Sequence, residues 1–468
     1  MKNKKLTFAL YFGNRGFFPE SLIALAREEV SKRVEKLGYG AIMLDASLTR
    51  YGAVETPAEG AVYAKFLEAN KGKFDGVILS LPNFGDETGA VSALRDCGVP
   101  ILVQAYPDEL DKLDNARRRD AFCGKFSVMD VFWQYGVKFT NFTPHVVSPS
   151  SEDFAKNLRD FAAVCAVVKS MRRFNLGAIG ARTTAFKTVR FDELALERRG
   201  ITTETFDLSE VVFRTQSLSE KSEEFAARKR ELFAYSDFAK VPETSATNLV
   251  KLSIVLDQII KEADLGAIAL RCWIELEKIL KIAPCVLLGR LNNLGIPAAC
   301  ELDVCNAVAM RALAAASNGA ATCLDWNNNW GGEPDKCILF HCGPVAQSLM
   351  TDKGRVAEHF MFAKAFGPGC GWGPCQGRIK AGDMTFASSK TEGGEVIFYS
   401  GEGRITEDKI PPEFFGCAGV AEIPDLQRKL KNIGDNGFRH HVSMAFGNVD
   451  MPLREALGKY LGYRFSDI

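Results

Sequence analysis

The sequence lacks any stretch that approaches the roughly 20 consecutive apolar residues needed to cross a bilayer. It also lacks an excess of either charge, because Lys plus Arg and Asp plus Glu number 58 each. Without a net field, neither nucleic acid nor an anionic membrane is an expected partner. The composition, 47% hydrophobic and 25% charged, is that of an ordinary globular protein.

Cysteine pairs of the Cys-X-X-Cys type are also missing. The chain has thirteen cysteines, an odd number scattered over 468 residues. The closest pairs are Cys300/Cys305, Cys337/Cys342 and Cys370/Cys375. This spacing disfavours a structural zinc site, and the odd number favours reduced thiols in a cytoplasm. The first apolar run is broken by Thr7 and closes at Gly13, so we expect a strand there and not a signal peptide.

The N-terminal part alternates short apolar runs with amphipathic segments. The predicted helices are Glu20 to Leu37 and Pro57 to Asn70, and the predicted strands are Leu6 to Phe12, Ala41 to Leu44, Gly76 to Leu79 and Ile101 to Gln104. Apolar strands that alternate with helices predict a parallel, doubly wound sheet covered on both faces. Ligands on such sheets bind beyond the carboxyl ends of the strands, where Gly13-Asn14-Arg15 lies.

A second α/β domain is predicted to follow a linking helix over Asp153 to Arg173. It opens with an apolar strand that ends at Gly180. The segment Gly177 to Arg182 lacks the full Gly-X-Gly-X-X-Gly and the Walker Lys-Ser/Thr, so we interpret it as a strand-to-helix turn without a nucleotide. The later helices are predicted over Glu210 to Lys240, Asn248 to Glu262 and Val304 to Ser317, with a buried strand over Ala267 to Trp273.

Beyond about Ala363 short strands recur at even spacing between Gly-rich turns, which is typical of an antiparallel sheet. The predicted fold class is therefore α/β, with two doubly wound domains followed by a C-terminal antiparallel, barrel-like domain. Since 468 residues exceed the size of one core, several domains are expected. We place them at residues 1–168, 169–318 and 319–468.

Three ionisable residues past the middle of the chain lie in apolar or small-residue runs. They are Glu301 in Ala-Cys-Glu-Leu-Asp, Asp325 in Cys-Leu-Asp-Trp-Asn, and His341 in Leu-Phe-His-Cys-Gly. Two carboxylates and an imidazole that converge can hold a divalent cation. Taken singly, Glu301 also suits a helix N-terminus and Asp325 an Asx-rich turn. Asp303 would satisfy the capping need and leave Glu301 free for another task.

Histidine is scarce, with only five in the chain. His440 and His441 precede an apolar strand whose alternation sends their rings to opposite faces, so only one of them can face a given site. The other reading of this pair is one solvent-exposed ring and one hydrogen-bonded core ring. His359, on a predicted helix over Arg355 to Lys364, and His145 are interpreted as surface or packing residues.

These blocks resemble the metal-site segments of the L-fucose isomerase family. The matching segments are Ala-Cys-Glu-Leu-Asp at 299–303, Leu-Asp-Trp-Asn-Asn-Asn-Trp at 324–330 and Asp-Lys-Cys-Ile-Leu-Phe-His-Cys at 335–342, and Arg-Asp-Ala-Phe-Cys-Gly at 119–124 is similar more weakly. The related L-arabinose isomerases carry Glu where this chain has Asp325, which favours the fucose-type branch. The chain is shorter than the bacterial fucose isomerases and matches loosely after Gly367.

The resemblance implies a metal site and roles for its residues. Glu301 and Asp325 would be metal ligands that also act as acid and base, and His441 would be the third ligand. Manganese would be the metal, with Mg²⁺ or Co²⁺ as alternatives, and the members assemble as homo-oligomers, here a trimer or hexamer. The remaining sugar contacts are assigned to Trp326, Asn327, His341, His440 and Gln376, with Arg15 acting from a neighbouring subunit. Trp372 is either a further contact or a barrel core residue.

The expected reaction is metal-dependent aldose–ketose isomerisation of a pentose or 6-deoxyhexose through an ene-diolate, with Glu301 as base and Asp325 as acid. Two alternatives stay open from the sequence. One is an isomerase or epimerase of an anionic, sulfonated or phosphorylated hexose, for which Arg15, Lys125 and Arg378 offer positive charge. The other is a non-catalytic sugar-binding protein on the same fold.

Overall fold

The computed structural model describes residues 5–468; residues 1–4, where the predicted N-terminal domain begins, lie outside the described residues. Contacts divide the described chain into two compact units. The first unit comprises residues 5–169 with 455–460, and the second comprises 170–454 with 461–468. The second unit thus contains the predicted later domains apart from residue 169 and residues 455–460, and the boundary between these domains at residue 318 stays a prediction.

The first unit is built on a parallel sheet with the strand order β2-β1-β3-β4. Its strands are β1 (Thr7–Phe12), β2 (Gly40–Met43), β3 (Gly76–Leu81) and β4 (Ile101–Ala105). Its helices are α1 (Ser21–Lys36), α2 (Pro57–Ala69), α3 (Glu87–Leu94), α4 (Ala121–Gln134) and α5 (Glu152–Met171). Every residue of β3 and β4 is buried, as continuous apolar strands of a covered sheet should be. The parallel α/β prediction is confirmed here.

Local capping explains where several of these helices begin. The Thr56 hydroxyl accepts a hydrogen bond from the Glu59 amide, with Pro57 in the first helical position of α2. The Asp86 carboxylate likewise accepts from the Gly89 amide at the start of α3. Residues 455–460 form a single π-helical segment of this unit, where the Tyr460 hydroxyl lies 3.0 Å from the Thr140 hydroxyl.

The second unit contains another parallel sheet, with the order β6-β5-β7-β8. Its strands are β5 (Phe174–Ile179), β6 (Ile201–Phe206), β7 (Leu265–Leu270) and β8 (Ala298–Cys300). The accompanying helices are α6 (Glu193–Glu197), α7 (Leu208–Ser217), α8 (Glu223–Tyr235), α9 (Glu243–Glu262), α10 (Glu275–Ile279), α11 (Cys285–Asn293) and α12 (Val304–Ser317). The prediction of a single helix over Glu210 to Lys240 is wrong. The first helix ends at Ser217, and a second helix, capped by Ser222, begins at Glu223.

The rest of the second unit is a nine-stranded mixed sheet, with the order β11-β12-β15-β10-β9-β16-β13-β14-β17. Its strands are β9 (Ala321–Asn329), β10 (Lys336–His341), β11 (Arg355–Glu358), β12 (Trp372–Arg378), β13 (Gly382–Glu392), β14 (Glu395–Ile405), β15 (Cys417–Glu422), β16 (His441–Phe446) and β17 (Arg464–Phe465). The helices are α13 (Phe360–Phe366), α14 (Leu426–Asp435) and α15 (Asp450–Arg454).

This sheet corrects two predictions. It is not purely antiparallel, because β12 pairs with β15 and β14 with β17 in parallel. The helix predicted over Arg355 to Lys364 is also wrong, since residues 355–358 pair with β12 as a strand and the helix starts only at Phe360. β14 pairs with β15 as well, at two positions, and barrel-like closure stays a prediction.

In the part of the chain from residue 5 onward, we find no helix that is both long and apolar enough to span a bilayer.

Candidate active site

Glu301 lies at the turn between β8 and α12. Glu301 and Leu302 both adopt left-handed backbone angles, with φ of 59° and 62°. This conformation is unfavourable for residues other than glycine and is typical of functional sites. The turn ends at Asp303, whose carboxylate accepts from the Asn306 amide at 3.0 Å and so caps α12. The cap predicted at Asp303 is present, and the Glu301 carboxylate takes no part in it.

Asp325 and His441 reach the same place from neighbouring strands. The two residues are direct partners in the antiparallel pairing of β9 with β16. Side chains at directly opposed positions project from the same face, so the carboxylate and the imidazole are adjacent. The His441 side chain is fully buried, whereas that of His440 is 43% exposed. His441 is therefore the member of the pair that faces inward.

The side chains of Glu301, Asp325 and His441 converge. The Nε2 atom of His441 lies 2.8 Å from Oε2 of Glu301 and 3.5 Å from Oδ1 of Asp325. All three atoms are buried, and none has hydrogen-bond geometry with any partner. Buried polar atoms are almost always satisfied, so three such atoms in one place require a physical reason.

The tautomer of His441 supplies that reason. Nδ1 of His441 lies 2.8 Å from Oδ2 of Asp303, a carboxylate that can only accept, so Nδ1 carries the ring proton. Burial lowers the pKa of His441, but interactions with Cys323, Asp303 and Glu301 outweigh burial and the pKa is raised, so the surroundings of Nε2 favour a positive charge there, carried by a proton or by a metal ion. When the ring is neutral, Nε2 presents a lone pair to two carboxylate oxygens. Lone pairs that face one another repel unless a cation lies between them. The donor set, two carboxylates and one imidazole, is one that Mn²⁺ or Mg²⁺ accepts, and these residues fit such an ion.

Asp303 is the residue that orients His441, a role the sequence did not indicate. It is completely buried and also pairs with the buried guanidinium of Arg439. Burial raises the pKa of the Asp303 carboxyl, but the Arg439 and His441 charges outweigh burial and the pKa is lowered. A carboxylate on the far nitrogen of a metal-binding histidine fixes the ring and strengthens the ligand. Burial of Asp325, by contrast, raises the pKa of its carboxyl.

His341 completes the buried wall of the site. Its Nδ1 atom accepts the Cys342 amide at 2.9 Å, and its ring centre lies 5.7 Å from that of His441. Nε2 of His341 is buried and has no hydrogen-bond partner. Because Nδ1 accepts, Nε2 of the neutral ring carries the proton and can donate to a ligand.

Other residues assigned to sugar binding are placed differently. The Trp326 indole N–H donates to the Tyr399 hydroxyl at 3.1 Å, and its ring packs edge-on against Phe386. Since Asp325 faces the site, the next residue on β9 faces away, and this geometry does not favour a sugar contact for Trp326. Asn327 is exposed on the same strand.

Gln376 and Arg15 are engaged by other groups. The Gln376 side-chain oxygen accepts from Nε of Arg355 at 2.9 Å. Arg15 belongs to the first unit, where it pairs with Glu87 and lies over the Phe84 ring, 4.4 Å from its centre. Neither arrangement tests the proposed action of Arg15 from a neighbouring subunit.

Two further buried groups lie near this site: His359, which the sequence assigned to the surface or to packing, and Glu277, which it did not single out. His359 is only 4% exposed and packs against Phe362, with ring centres 4.3 Å apart and the ring planes tilted by 36°. Burial lowers its pKa, and the charges of Cys342 and Glu301 act on it in the opposite sense. Glu277 is fully buried, and both of its carboxylate oxygens are without a hydrogen-bond partner. The signal that singled out His341, a polar group within an apolar run, would also have found His359.

Phe186 brings a cationic segment to the site. Its ring centre lies 5.5 Å from that of His440 and 5.8 Å from that of His441. The same segment carries Arg182, Lys187 and Arg190, and no carboxylate among residues 5–468 forms an ion pair with any of them. Positive charge without a carboxylate partner, on a segment whose Phe186 ring contacts the site, suits an anionic ligand.

The comparison with known proteins now identifies the family. The N-terminal domain model of fucose/sulfoquinovose isomerases matches residues 9–172, and the C-terminal domain model of L-fucose isomerases matches residues 339–468. The chain belongs to the fucose isomerase family. It is an aldose–ketose isomerase, as predicted. His441 lies within the matched C-terminal domain, whereas Glu301 and Asp325 lie between the two matched segments.

Curated relatives share the name sulfoquinovose isomerase. Those from Priestia aryabhattai and Priestia megaterium are each 24% identical over 409 residues, covering 85% of the enzyme and 86% of the relative. One from Alkalicoccus urumqiensis is 24% identical over 334 residues, 67% of the enzyme and 72% of the relative. A periplasmic solute-binding protein from Actinobacillus succinogenes 130z with bound D-allose covers 67% of the enzyme and 93% of its own chain at 11% identity, with a TM-score of 0.19.

The unpaired carboxyl group of Glu277 leads to a prediction about stability. Burial raises its pKa to about 8 from the ordinary 4.5, so the folded chain binds a proton that the unfolded chain releases. Stability should therefore fall as pH rises from the unfolded pKa to the folded one. Relative to the unaltered chain, Glu277→Gln should gain about 3 kcal/mol of unfolding free energy on going from about pH 5 to about pH 8.

Urea unfolding of chelator-treated protein at both pH values measures this difference. The control is Glu223→Gln, an exposed glutamate at the start of α8, which should keep the pH dependence of the unaltered chain. Parallel pH profiles for the Glu277→Gln variant and the unaltered chain would show that Glu277 is ionised in the folded protein.

Proposed function

We propose that this enzyme is a divalent-metal-dependent aldose–ketose isomerase of an anionic hexose, in first place a sulfonated one. The observation that carries the metal site is the convergence of Glu301, Asp325 and His441, whose buried atoms face one another without hydrogen bonds. The sequence favoured a neutral pentose or 6-deoxyhexose. The relatives named for sulfoquinovose support the anionic alternative instead.

The chemistry requires a proton to move between C1 and C2 of an open-chain sugar. Mn²⁺, or Mg²⁺ or Co²⁺, held by Glu301, Asp325 and His441 would stabilise the negative charge of the ene-diolate as a Lewis acid. We assign the base role to the Glu301 carboxylate, which the left-handed turn places in the site, and the complementary acid role to Asp325. Both groups are largely shielded from water, since Glu301 is only 7% exposed and the Asp325 side chain 18%.

His341 and His440 would position the sugar. The free Nε2–H of His341 would donate to a sugar hydroxyl or carbonyl oxygen, because its other ring nitrogen is occupied by the Cys342 amide. His440, with Nε2 3.7 Å from Oδ1 of Asp325, borders the exposed side of the site together with Phe186. The predicted homo-oligomer and the cytoplasmic location stay predictions.

The charge of the substrate would be met by the segment that carries Phe186. Arg15, Lys125 and Arg378, the cations considered from the sequence, are engaged elsewhere. Arg15 pairs with Glu87, while Lys125 and Arg378 donate to backbone carbonyl groups. Arg182 also donates to backbone carbonyl groups, those of Thr183 and Thr184, each at 3.2 Å, but it belongs to the segment whose Phe186 ring lies 5.5 Å from the ring of His440. Guanidinium groups bind oxyanions in a bidentate manner, which suits a sulfonate.

A sugar panel in deuterated water tests the proposal. We expect deuterium uptake at C1 or C2 and a ketose product from sulfonated hexoses, with phosphorylated hexoses and neutral aldoses far slower. Dialysis against a chelator should abolish the exchange, and Mn²⁺ should restore it. Full activity of metal-free protein, or turnover confined to neutral sugars, would contradict the proposal. An epimerase would give label at C2 with an aldose as the final product.

Replacement of Arg182 tests the origin of substrate specificity. Arg182→Met should raise KM for the anionic hexose about 10- to 100-fold, because a charge-assisted hydrogen bond to the substrate is lost, with a smaller change in kcat. Initial rates over a range of substrate concentrations measure both constants. The matched control is Arg198→Met, an exposed arginine that should leave both unchanged. An unaltered KM for Arg182→Met would place the anion elsewhere.

A further inference from the structure

A row of aromatic rings lies along one side of the candidate active site. The ring of Phe186 contacts those of His440 and His441. Its centre lies 5.9 Å from that of Trp273, which packs edge-on against the buried Phe362 with ring centres 5.8 Å apart. We call Phe186 and Trp273 the aromatic wall. This wall adjoins the proposed metal ligand His441 on the side of the site where the partly exposed His440 lies.

The end of β7 brings Trp273 to the same edge of the sheet as Glu301. Leu270 is the partner of Cys300 in the parallel pairing of β7 with β8, and the Leu302 amide donates to the Leu270 carbonyl at 3.2 Å. The chain after β7 and the turn that carries Glu301 therefore leave the sheet side by side. The aromatic wall and the proposed base thus share the carboxyl edge of a parallel sheet, where ligands of such sheets bind.

Hydrogen bonds hold the segment of Phe186 against Trp273. The Phe186 amide donates to the Thr183 carbonyl at 2.9 Å, and the Thr183 hydroxyl donates to the Trp273 carbonyl at 3.4 Å. Arg271 donates from Nε to the same Trp273 carbonyl at 2.7 Å, and from a terminal nitrogen to the Ala181 carbonyl at 3.3 Å. These bonds fix the two rings relative to each other before a ligand arrives, so a sugar that binds there needs to order neither of them.

Phe186 brings apolar surface to a site that is otherwise built from carboxylates and imidazoles. Binding sites for small molecules combine aromatic surface with a few polar groups that fix the orientation of the ligand. The C–H groups of an open-chain sugar are apolar, and an aromatic ring covers them more favourably than water does. A ring beside the reacting carbons also keeps water from the ene-diolate, which otherwise can take up a proton from solvent.

We propose that Phe186 is a substrate-positioning residue, which packs against the carbon chain of the sugar and, backed by Trp273, keeps water away from the ene-diolate. The proton that Glu301 takes from C2 then returns to C1 of the same molecule, so one C–H bond breaks, another forms, and the carboxylate is regenerated. The inference rests on the proposed function in one respect, the location of the reaction at Glu301, Asp325 and His441. It does not depend on the charge of the sugar.

The fate of the transferred proton tests this inference. The metal-loaded enzyme isomerises its sugar in deuterated water, and NMR counts the carbon-bound deuterium per product molecule at low conversion. We expect much less than one deuterium for the unaltered enzyme and a several-fold larger value for Phe186→Ala, with KM raised about 10-fold. Phe186→Leu keeps a bulky apolar side chain and should stay close to the unaltered enzyme. The matched control is Phe213→Ala, which removes an exposed ring of α7 and should change neither value.

Deuterium per product molecule does not depend on how much of the enzyme is active, so a merely structural role of Phe186 would leave it unchanged. The inference is overturned if the unaltered enzyme already introduces one deuterium per turnover, or if Phe186→Ala introduces no more than the unaltered enzyme.

A second measurement needs no turnover. Chelator-treated protein is exposed to diethyl pyrocarbonate, and peptide mass spectrometry follows each histidine. His440, which is partly exposed, should react in the unaltered protein, whereas the buried His441 should react only in Phe186→Ala. If no sugar is turned over, the proposed function fails, yet a reactive His441 in this variant would still show that Phe186 covers the site. Continued protection of His441 would then overturn the inference as well.

Discussion

Replacing Glu301 by glutamine is expected to reduce kcat/KM for isomerisation about 10³-fold or more, while the fold is retained. Glutamine has the shape of glutamate but cannot accept the sugar proton, and loss of a positioned general base typically costs about 10² to 10⁴ in rate. The substitution also removes one of the two negative charges among the proposed ligands, so Mn²⁺ affinity should fall as well. Isomerase rates at saturating Mn²⁺ and calorimetric titration with Mn²⁺ separate the two effects.

The matched control for this substitution is Glu333→Gln. Glu333 is an exposed glutamate of the same unit, paired with Lys336 at the surface, and should change neither rate nor Mn²⁺ affinity. Circular dichroism should be the same for both variants and the unaltered enzyme. If Glu301→Gln keeps full turnover, Glu301 is not the base, and Asp325→Asn becomes the next substitution to test.

Asp303→Asn is expected to weaken both the metal site and the fold. Asparagine presents less charge to Nδ1 of His441, and loss of such an orienting carboxylate typically lowers metal affinity about 10- to 100-fold. The buried Arg439 guanidinium loses its charged partner at the same time. An uncompensated buried charge costs about 3–5 kcal/mol of unfolding free energy. Calorimetric titration with Mn²⁺ and urea unfolding measure the two losses.

A double substitution distinguishes these two effects. Asp303→Asn combined with Arg439→Met removes the buried charge together with its partner, so it should recover much of the unfolding free energy. It should not recover Mn²⁺ affinity, because His441 still lacks its carboxylate. Mn²⁺ affinity equal to that of the unaltered enzyme, in either variant, would show that Asp303 has only a structural role.

The parts of the fold that sequence could predict are those coded locally. β1, β3 and β4 are continuous apolar runs, and α2 begins at a Thr-Pro signal, so their positions followed from neighbouring residues. The single helix over Glu210 to Lys240 failed although Ser222 marks a capping position, because the charged pattern on both sides of the break is helical. The helix prediction failed at Arg355–Glu358 because this segment is a strand that pairs with β12. The residues of the segment itself do not show that pairing.

In the candidate site, too, residues in informative local segments could be predicted, whereas contacts between distant segments could not. Glu301, Asp325 and His441 could be named from their segments and from the family resemblance. Asp303 could be seen only as a helix cap, because its contact with His441 joins residues 138 positions apart. The contact of Phe186 with His440 and His441 depends on long-range packing, which local sequence does not contain. His359 was interpreted as a surface or packing residue, and its burial among aromatic rings agrees with the second of these.

The left-handed turn at Glu301 and Leu302 has a consequence for how this enzyme can diverge. This turn lets one tripeptide, Glu301-Leu302-Asp303, place a carboxylate on each side of a single imidazole, with that of Glu301 near Nε2 and that of Asp303 near Nδ1 of His441. Inserting or deleting one residue in the turn would displace both carboxylates at once. Changes in sugar preference are therefore expected in the surrounding loops. The Glu-X-Asp spacing should stay constant in isomerases that use this site, so it can serve as a sequence signature of the reaction.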